Sequence, residues 1–264
     1  MNKQMINYLR ELFRYHELLI ALTKREITVR YKQTLLGAAW AMIQPLAFMV
    51  IFAIVFGFFL KIESNGLPYP IFSYSALLPW TFFASSVSFG ALSVVNNGNL
   101  ISKVYFPRET MPFANLLTAF VDFIVACFIF VLMFAFYKIK ISANIFFAVP
   151  IVAIEILFIS SVLLFTSAMN VIWRDIKFIV PLALQLWMFA TPVIYPASRV
   201  PQNLKFFYFL NPMSAIVENF RRVTVGSQAP DWRQLIIALF ESLVLLWIGY
   251  AFFKVKEKIF ADII

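Results

Sequence analysis

Long apolar blocks constrain this chain of 264 residues more than any other feature of its sequence. Six such blocks run over 36–60, 71–95, 111–137, 145–172, 176–195 and 234–253. A membrane-spanning helix needs about 20 mostly apolar residues, and every block reaches that length. The blocks therefore predict one transmembrane domain over 1–264, an all-α polytopic integral membrane protein with six transmembrane helices.

The composition agrees with a membrane protein and argues against a soluble one. Hydrophobic residues make up 62% of the chain and charged residues 13%, whereas a soluble domain carries roughly a quarter charged residues. The formal net charge is +9. In so apolar a chain we attribute this charge to cations retained on the cytoplasmic side, and we expect no binding of nucleic acid. A single cysteine, Cys127, excludes an internal disulfide.

The placement of lysine and arginine predicts the orientation of the chain. If both termini are cytoplasmic, fourteen of the 22 basic residues fall on the inner side. Cytoplasmic loops are enriched in Lys and Arg, so this arrangement is the expected one. Five of the remaining basic residues lie in the segment 196–233.

The N-terminal stretch 3–24 has the pattern of an amphipathic helix. Its apolar residues recur at helical spacing, while its charged residues fall on the opposite side. Such a helix lies flat in the membrane interface. His16 falls in this stretch without a second ligand nearby, so we expect an interfacial residue there and no metal site.

The segment between the fifth and sixth blocks, 196–233, is interrupted by prolines. Prolines stop helices, so a single straight span is excluded here. The apolar run 206–210 is too short to cross a membrane. The pattern predicts short re-entrant helices on the outer face between spans five and six.

Motifs for catalysis are absent from the sequence. It contains no G-x-x-x-x-G-K-[ST] loop for nucleotide phosphates and no G-x-S-x-G elbow. His and Cys residues are too few to hold zinc or haem. We therefore expect no enzyme, no cofactor and no metal.

Three carboxylic acids lie inside apolar blocks: Asp122, Glu155 and Glu241. A charge at the bilayer centre costs about 2.5–3.5 kcal/mol, so each needs a partner, a wet cavity or a proton. An ion-coupled secondary carrier would use these groups directly. We favour the structural alternative, in which they sit near the helix ends or pair across helices.

Two aromatic stripes suggest a path for sugars. On the first block the stripe repeats every four residues, with the members Trp40, Gln44, Phe48 and Phe52. On the fifth block the residues that share a face are Phe178, Gln185, Phe189 and Pro192. Aromatic rings offer an electron-rich face to sugar C–H groups. The alternative is contact with lipid or neighbouring helices, but the glutamines would be costly against lipid.

The inner loop 96–110 opens with turn residues and is broken by Pro107. Between them a short helix is predicted over 100–105. Its apolar side chains are Ile101, Val104, Tyr105 and Phe106. Because these side chains are not predicted to lie in the membrane, we expect them to need a protein partner.

Four segments together resemble the permease subunits of type-2 ATP-binding-cassette exporters, in the branch that handles O-antigen, capsule and teichoic acid. They are RYKQTLLGAAWAMIQP (30–45), NLISKVYFPRETMP (99–112), TPVIYP (191–196) and LNPMSAIVENFRRV (210–223). The match is spread over most of the chain and keeps the family's order.

The resemblance implies a channel-forming subunit of the inner membrane. It implies a homodimer that pairs with two separate ATPase subunits and exports lipid-linked polysaccharide, with O-antigen as the expected cargo. The alternatives are the secondary carrier and a same-family exporter of a small lipid or drug.

The resemblance also assigns roles to residues. The aromatic stripes would line the channel. The ATPase-coupling residues would be Asn99, Leu100, Ile101, Lys103, Val104, Tyr105, Phe106, Pro107 and Arg108. The outer gate would be formed by Pro192, Tyr195, Pro196, Asn211, Pro212, Glu218 and Arg221.

Overall fold

The computed structural model describes residues 15–263, apart from Ser102 and Tyr105. Every secondary-structure element of this part of the chain is helical. Five helices are long and apolar enough to cross a membrane. The chain is therefore an all-helical, multi-pass membrane protein. Residues 3–14 of the predicted amphipathic helix lie outside the described residues.

The five long helices, labelled with the shorter ones in chain order, lie over five of the predicted blocks. They are α2 (Gly37–Phe59), α3 (Tyr69–Asn96), α5 (Thr110–Tyr137), α6 (Ala143–Ile172) and α10 (Trp232–Glu257). Shorter helices connect and flank them: α1 (His16–Tyr31), α4 (Gly98–Ile101), α7 (Ile176–Phe189), α8 (Lys205–Phe209), α9 (Pro212–Thr224) and α11 (Phe260–Ile263).

Helix α3 lies at the centre of the bundle. It packs against α2, α5, α6, α7 and α9, and most of its side chains are buried. Three of its buried serines donate to carbonyls of the same helix: Ser73 to Pro70 at 3.0 Å, Ser75 to Phe72 at 2.7 Å and Ser93 to Gly90 at 2.7 Å. Small hydroxylic residues of this kind let membrane helices pack closely.

Helix α10 packs along α6 at short range. A Cβ atom built on Gly249 would lie 2.5 Å from the carbonyl oxygen of Ser161. Only glycine fits at such a backbone approach. The contact fixes the last long helix against α6.

The fifth apolar block forms a shorter helix than the sequence predicts. Helix α7 has 14 residues and ends at Phe189, short of the predicted end at 195. At 1.5 Å per residue it is about 21 Å long, against a hydrocarbon core of about 30 Å. Helices usually end at or before the residue that precedes a proline. Pro192 lies shortly after Phe189, the last residue of α7. Residues 190–195 form a turn followed by a bend instead.

Candidate functional site

The inner loop is built around one helical turn, α4, which is shorter than the predicted helix over 100–105 and begins earlier. Asn97 precedes it and links two elements. Its side-chain amide donates to the carbonyl of Ser93 at 2.8 Å, and its oxygen accepts from the Arg25 guanidinium at 2.7 Å. The loop is therefore tied to helix α1 as well as to the end of α3.

The expectation that the apolar residues of this loop all need a protein partner is wrong for two of them. Ile101 and Phe106 are buried in a cluster with Phe253 and Phe260 from the C-terminal part of the chain. The chain's own C-terminal segment therefore covers these side chains. Tyr105 lies outside the described residues.

The remaining predicted coupling residues form the accessible tip of the loop. Asn99 and Lys103 are exposed, and Val104 is 54% exposed. Leu100, Pro107 and Arg108 are half-buried. The surface available to a partner therefore centres on Asn99, Lys103 and Val104.

Charged groups hold the same loop against the C-terminal end of α10. The Lys254 ammonium lies 2.8 Å from a carboxylate oxygen of Glu109 and 2.9 Å from one of Glu257. The Arg108 guanidinium donates to the Glu257 carbonyl. The Glu109 side chain has no exposed surface. Burial raises the pKa of the Glu109 carboxyl above its ordinary value, and the Lys254 charge opposes that shift.

Asp122 has partners, as the structural alternative requires. One carboxylate oxygen lies 2.5 Å from the Arg30 guanidinium, and the other accepts from the Tyr31 hydroxyl at 2.6 Å. Arg30 also lies 4.1 Å from the ring centroid of Phe89. Burial raises the pKa of Tyr31, and the hydrogen bond to Asp122 raises it further. The group therefore anchors the end of α1 to α5.

Glu155 differs from Asp122. Its side chain is fully buried in α6, and neither carboxylate oxygen has a hydrogen-bond partner among the described residues. Glu241 also has one such oxygen. The structure thus gives Asp122 a cationic partner and leaves both oxygens of Glu155 without a hydrogen bond among the described residues.

The first aromatic stripe is shorter than predicted. Trp40 and Phe48 are 47% and 40% exposed, and Gln44 between them is exposed. Phe52, however, is buried in the main core and packs edge-on against the ring of Phe56. A step of four residues overshoots one helical turn by about 40°, so the stripe rotates into the core by its fourth member.

The second stripe lies on the outside of α7. Phe178 and Phe189 are 68% and 54% exposed, and Gln185 is exposed. The opposite face of α7 packs inward through Ile176, Val180 and Leu184. Pro192, the predicted fourth member, is buried.

A cavity of about 270 Å³ lies between the first stripe and the Arg30–Asp122 pair that joins α1 to α5. Its walls include Trp40 and Gln44 on one side and Arg30, Tyr31 and Asp122 on the other. Aromatic rings, an amide and charged groups therefore meet at one place.

Arg221 ties the predicted outer gate together. The residue is 3% exposed, and its guanidinium donates to the carbonyls of Pro192 at 2.5 Å and Val193 at 3.4 Å. It pairs with Glu218 at 2.9 Å and lies 3.9 Å from the ring centroid of Phe72. Burial lowers the pKa of Arg221, and Glu218 opposes that shift. Helix α9 is thereby locked to the turn that follows α7.

Asn211 makes a second link between α9 and α7. Its side-chain oxygen caps α9 by accepting from the Met213 amide at 3.1 Å, and it also accepts from the Trp187 indole at 3.0 Å. Pro212 occupies the first turn of α9, where a missing N–H costs nothing.

The turn itself is closed by tyrosine. The Tyr195 hydroxyl donates to the Phe189 carbonyl at 2.9 Å and accepts from the Tyr208 hydroxyl at 3.3 Å. Burial raises the pKa of Tyr208. Pro196 is buried beside them. The predicted gate residues therefore form one connected unit around the C-terminal end of α7.

The comparison with known proteins decides the family. The sequence profile of the family described as ABC-2 type transporter matches residues 17–225. The chain belongs to the ABC-2 type transporter family. The match covers helices α1 to α9, and so includes the inner loop, both aromatic stripes and the gate unit.

Individual transport proteins are similar to this chain over nearly its whole length. It is 30% identical over 260 residues to the O-antigen export system permease protein RfbA of Myxococcus xanthus, covering 98% of this chain and 99% of that protein. A protein of the same description from Klebsiella pneumoniae is 26% identical over 249 residues, with 94% and 95% covered. The polysialic acid transport protein KpsM of Escherichia coli is 23% identical over 247 residues, with 90% and 93% covered.

Proposed function

We propose that this chain is the permease of an ATP-driven exporter that moves lipid-linked polysaccharide, with O-antigen as its cargo, across the cytoplasmic membrane. The observation that carries the proposal is the end-to-end similarity to permeases of O-antigen export. A polysialic acid transport protein is similar over nearly the same length, which supports a long glycan as the cargo class.

The proposed topology has six crossings with both termini in the cytoplasm. Five crossings are the long helices, and α7 together with the turn that follows it would make the sixth. The gate unit on α8 and α9 would then lie on the outer side as re-entrant structure. Broken backbone is tolerated at membrane depth where protein covers it, and Arg221 and Asn211 supply that cover.

The proposed assembly is a homodimer with two ATPase subunits. Gln44 and Gln185 are exposed on a single chain, and an amide facing lipid is costly. A second copy placed against α2 and α7 would enclose both stripes around a wet path, with rings available for sugar stacking. The accessible tip of the inner loop would then face the ATPase.

The proposal predicts the phenotype of a deletion strain. We expect loss of surface polysaccharide and accumulation of lipid-linked glycan inside the cell, because synthesis continues without its exit route. Immunoblots of surface polysaccharide measure the first effect, and extracted glycolipid measures the second. Re-expression of the chain restores export only together with its ATPase. Normal surface polysaccharide in the deletion strain would refute the proposed cargo.

A second prediction separates partner binding from folding at the inner loop. Val104→Asp places a charge on an exposed apolar side chain, so we expect loss of co-purification with the ATPase and at least about tenfold less export. Thermal unfolding of the chain should not change. Phe106→Asp should instead destabilise the chain itself, because that side chain is buried.

Val104→Leu is the matched control, since it keeps an apolar contact at the same place. It should bind the ATPase as the native chain does. Normal ATPase binding by Val104→Asp would remove this loop tip from the interface.

A further inference from the structure

A lateral cavity between α5 and α6 has no part in the proposed transport path. Its volume is about 490 Å³, and Phe220 and Thr224 of α9 form part of its wall. Val131 and Val149 line it and are 62% and 72% exposed, so the cavity opens sideways from the bundle. A volume of this size lies in the range that holds small ligands.

The chemistry of the wall selects an apolar occupant. Among the described residues that line the cavity, only Cys127 and Thr224 carry a polar side-chain group. Water gains few hydrogen bonds in such a space, and an empty cavity forfeits contacts along its whole wall. At membrane depth the apolar material at hand is the acyl chain of a lipid.

One end of the cavity carries positive charge. Ile141 and Ile145 line that end, and both belong to the segment 138–147, which comprises the link between α5 and α6 and the first turn of α6. The segment includes Lys138 and Lys140, both exposed, and contains no aspartate or glutamate. The cavity mouth therefore combines apolar side chains with cations.

The segment is held in place over the cavity. The Ser227 hydroxyl donates to the Lys140 carbonyl at 3.1 Å, and the Asn144 amide donates to the Ser227 carbonyl at 3.1 Å. The bonded turn, 225–230, also contains no carboxylate. Both lysines are thus presented at the end of a spanning helix, where lipid headgroups lie, and no acid within either segment neutralises them.

We propose that this cavity binds an acyl chain of an anionic glycerophospholipid whose phosphate contacts Lys138 and Lys140. Basic side chains next to apolar crevices between spanning helices favour anionic headgroups. In the proposed topology the lipid belongs to the outer leaflet. The inference depends on embedding in a membrane and is independent of the exported cargo.

The test compares two lipids of equal chain length. The full chain is reconstituted in nanodiscs of equal parts phosphatidylglycerol and phosphatidylcholine, and the lipid retained after release is counted by native mass spectrometry. We expect the native chain to retain phosphatidylglycerol in about tenfold preference. Lys138→Gln with Lys140→Gln should bring the two lipids close to equality, and these exposed positions leave the fold intact.

A second variant tests the cavity itself. Ala153 lines it and is exposed, so Ala153→Trp should fill the space and abolish retention of both lipids. Leu132→Trp is the control, because Leu132 is exposed on α5 outside the cavity. Equal retention of both lipids by the native chain would overturn the proposal. So would full retention by Ala153→Trp, or equal loss in Leu132→Trp. Loss of export in any strain bears on none of these readouts.

Discussion

Replacement of Arg221 by methionine should abolish export. The guanidinium is buried, donates to two carbonyls of the turn after α7 and pairs with Glu218. Methionine fills the space but leaves these acceptors without a donor, at about 1–3 kcal/mol for each buried group. The turn and α9 would separate, and the gate unit would lose its geometry. We expect a loss of stability of about 3–5 kcal/mol and surface polysaccharide near background.

Two further variants make the Arg221 result specific. Arg233→Met removes an exposed arginine at the start of α10 and should leave export and thermal unfolding unchanged. Arg221→Lys keeps the charge but cannot form the forked contact. This variant should fold but should export poorly. Thermal unfolding in detergent and immunoblots of surface polysaccharide measure the two effects. Export at the native level by Arg221→Met would show that the guanidinium does not hold the gate.

The long helices could be predicted because hydropathy is a local property. Residues 71–95 form an apolar run, and the helix found there is Tyr69–Asn96. The fifth block misled the prediction because apolar character continues past the point where the backbone turns. The proline at 192 was the available signal for the end of α7.

Contacts between distant segments could not be predicted from local patterns. Phe106 reads as an exposed apolar residue of a short loop, yet Phe253 and Phe260 cover it. Phe52 continues a regular stripe in sequence but lies in the core, because a four-residue repeat drifts around the helix. Burial of this kind depends on the packing of the whole bundle.

The sequence could predict that a buried acid has a cationic partner, but it could not predict which residue supplies the cation. A carboxylate inside a span requires a partner, so a cation was expected near Asp122. Many basic residues lie on the predicted inner side, and nothing in the sequence singles out Arg30 among them. For Lys254 and Glu109 there was no signal, because each reads as an ordinary charge at the end of an apolar block.

Lys254→Met should break the attachment of the inner loop to α10. The Glu109 carboxylate is fully buried and lies 2.8 Å from the Lys254 ammonium. Removing one partner leaves an uncompensated buried charge, which costs about 3–5 kcal/mol. We expect a large fall in thermal stability and loss of export, since the loop that we propose faces the ATPase is no longer held against a spanning helix.

The double variant Lys254→Met with Glu109→Gln tests that reasoning directly. With neither charge present, no fully buried ion remains at this contact, so most of the lost stability should return. The loop keeps its apolar attachment through Ile101 and Phe106, so export should recover in part. Lys258→Met, at an exposed position just beyond, is the control and should behave as the native chain. If the single variant is as stable as the native chain, or the double variant is less stable than the single one, the buried pair is not what holds the loop. If stability returns but export stays absent, the charges of Lys254 and Glu109 would themselves be needed to couple ATP hydrolysis to export.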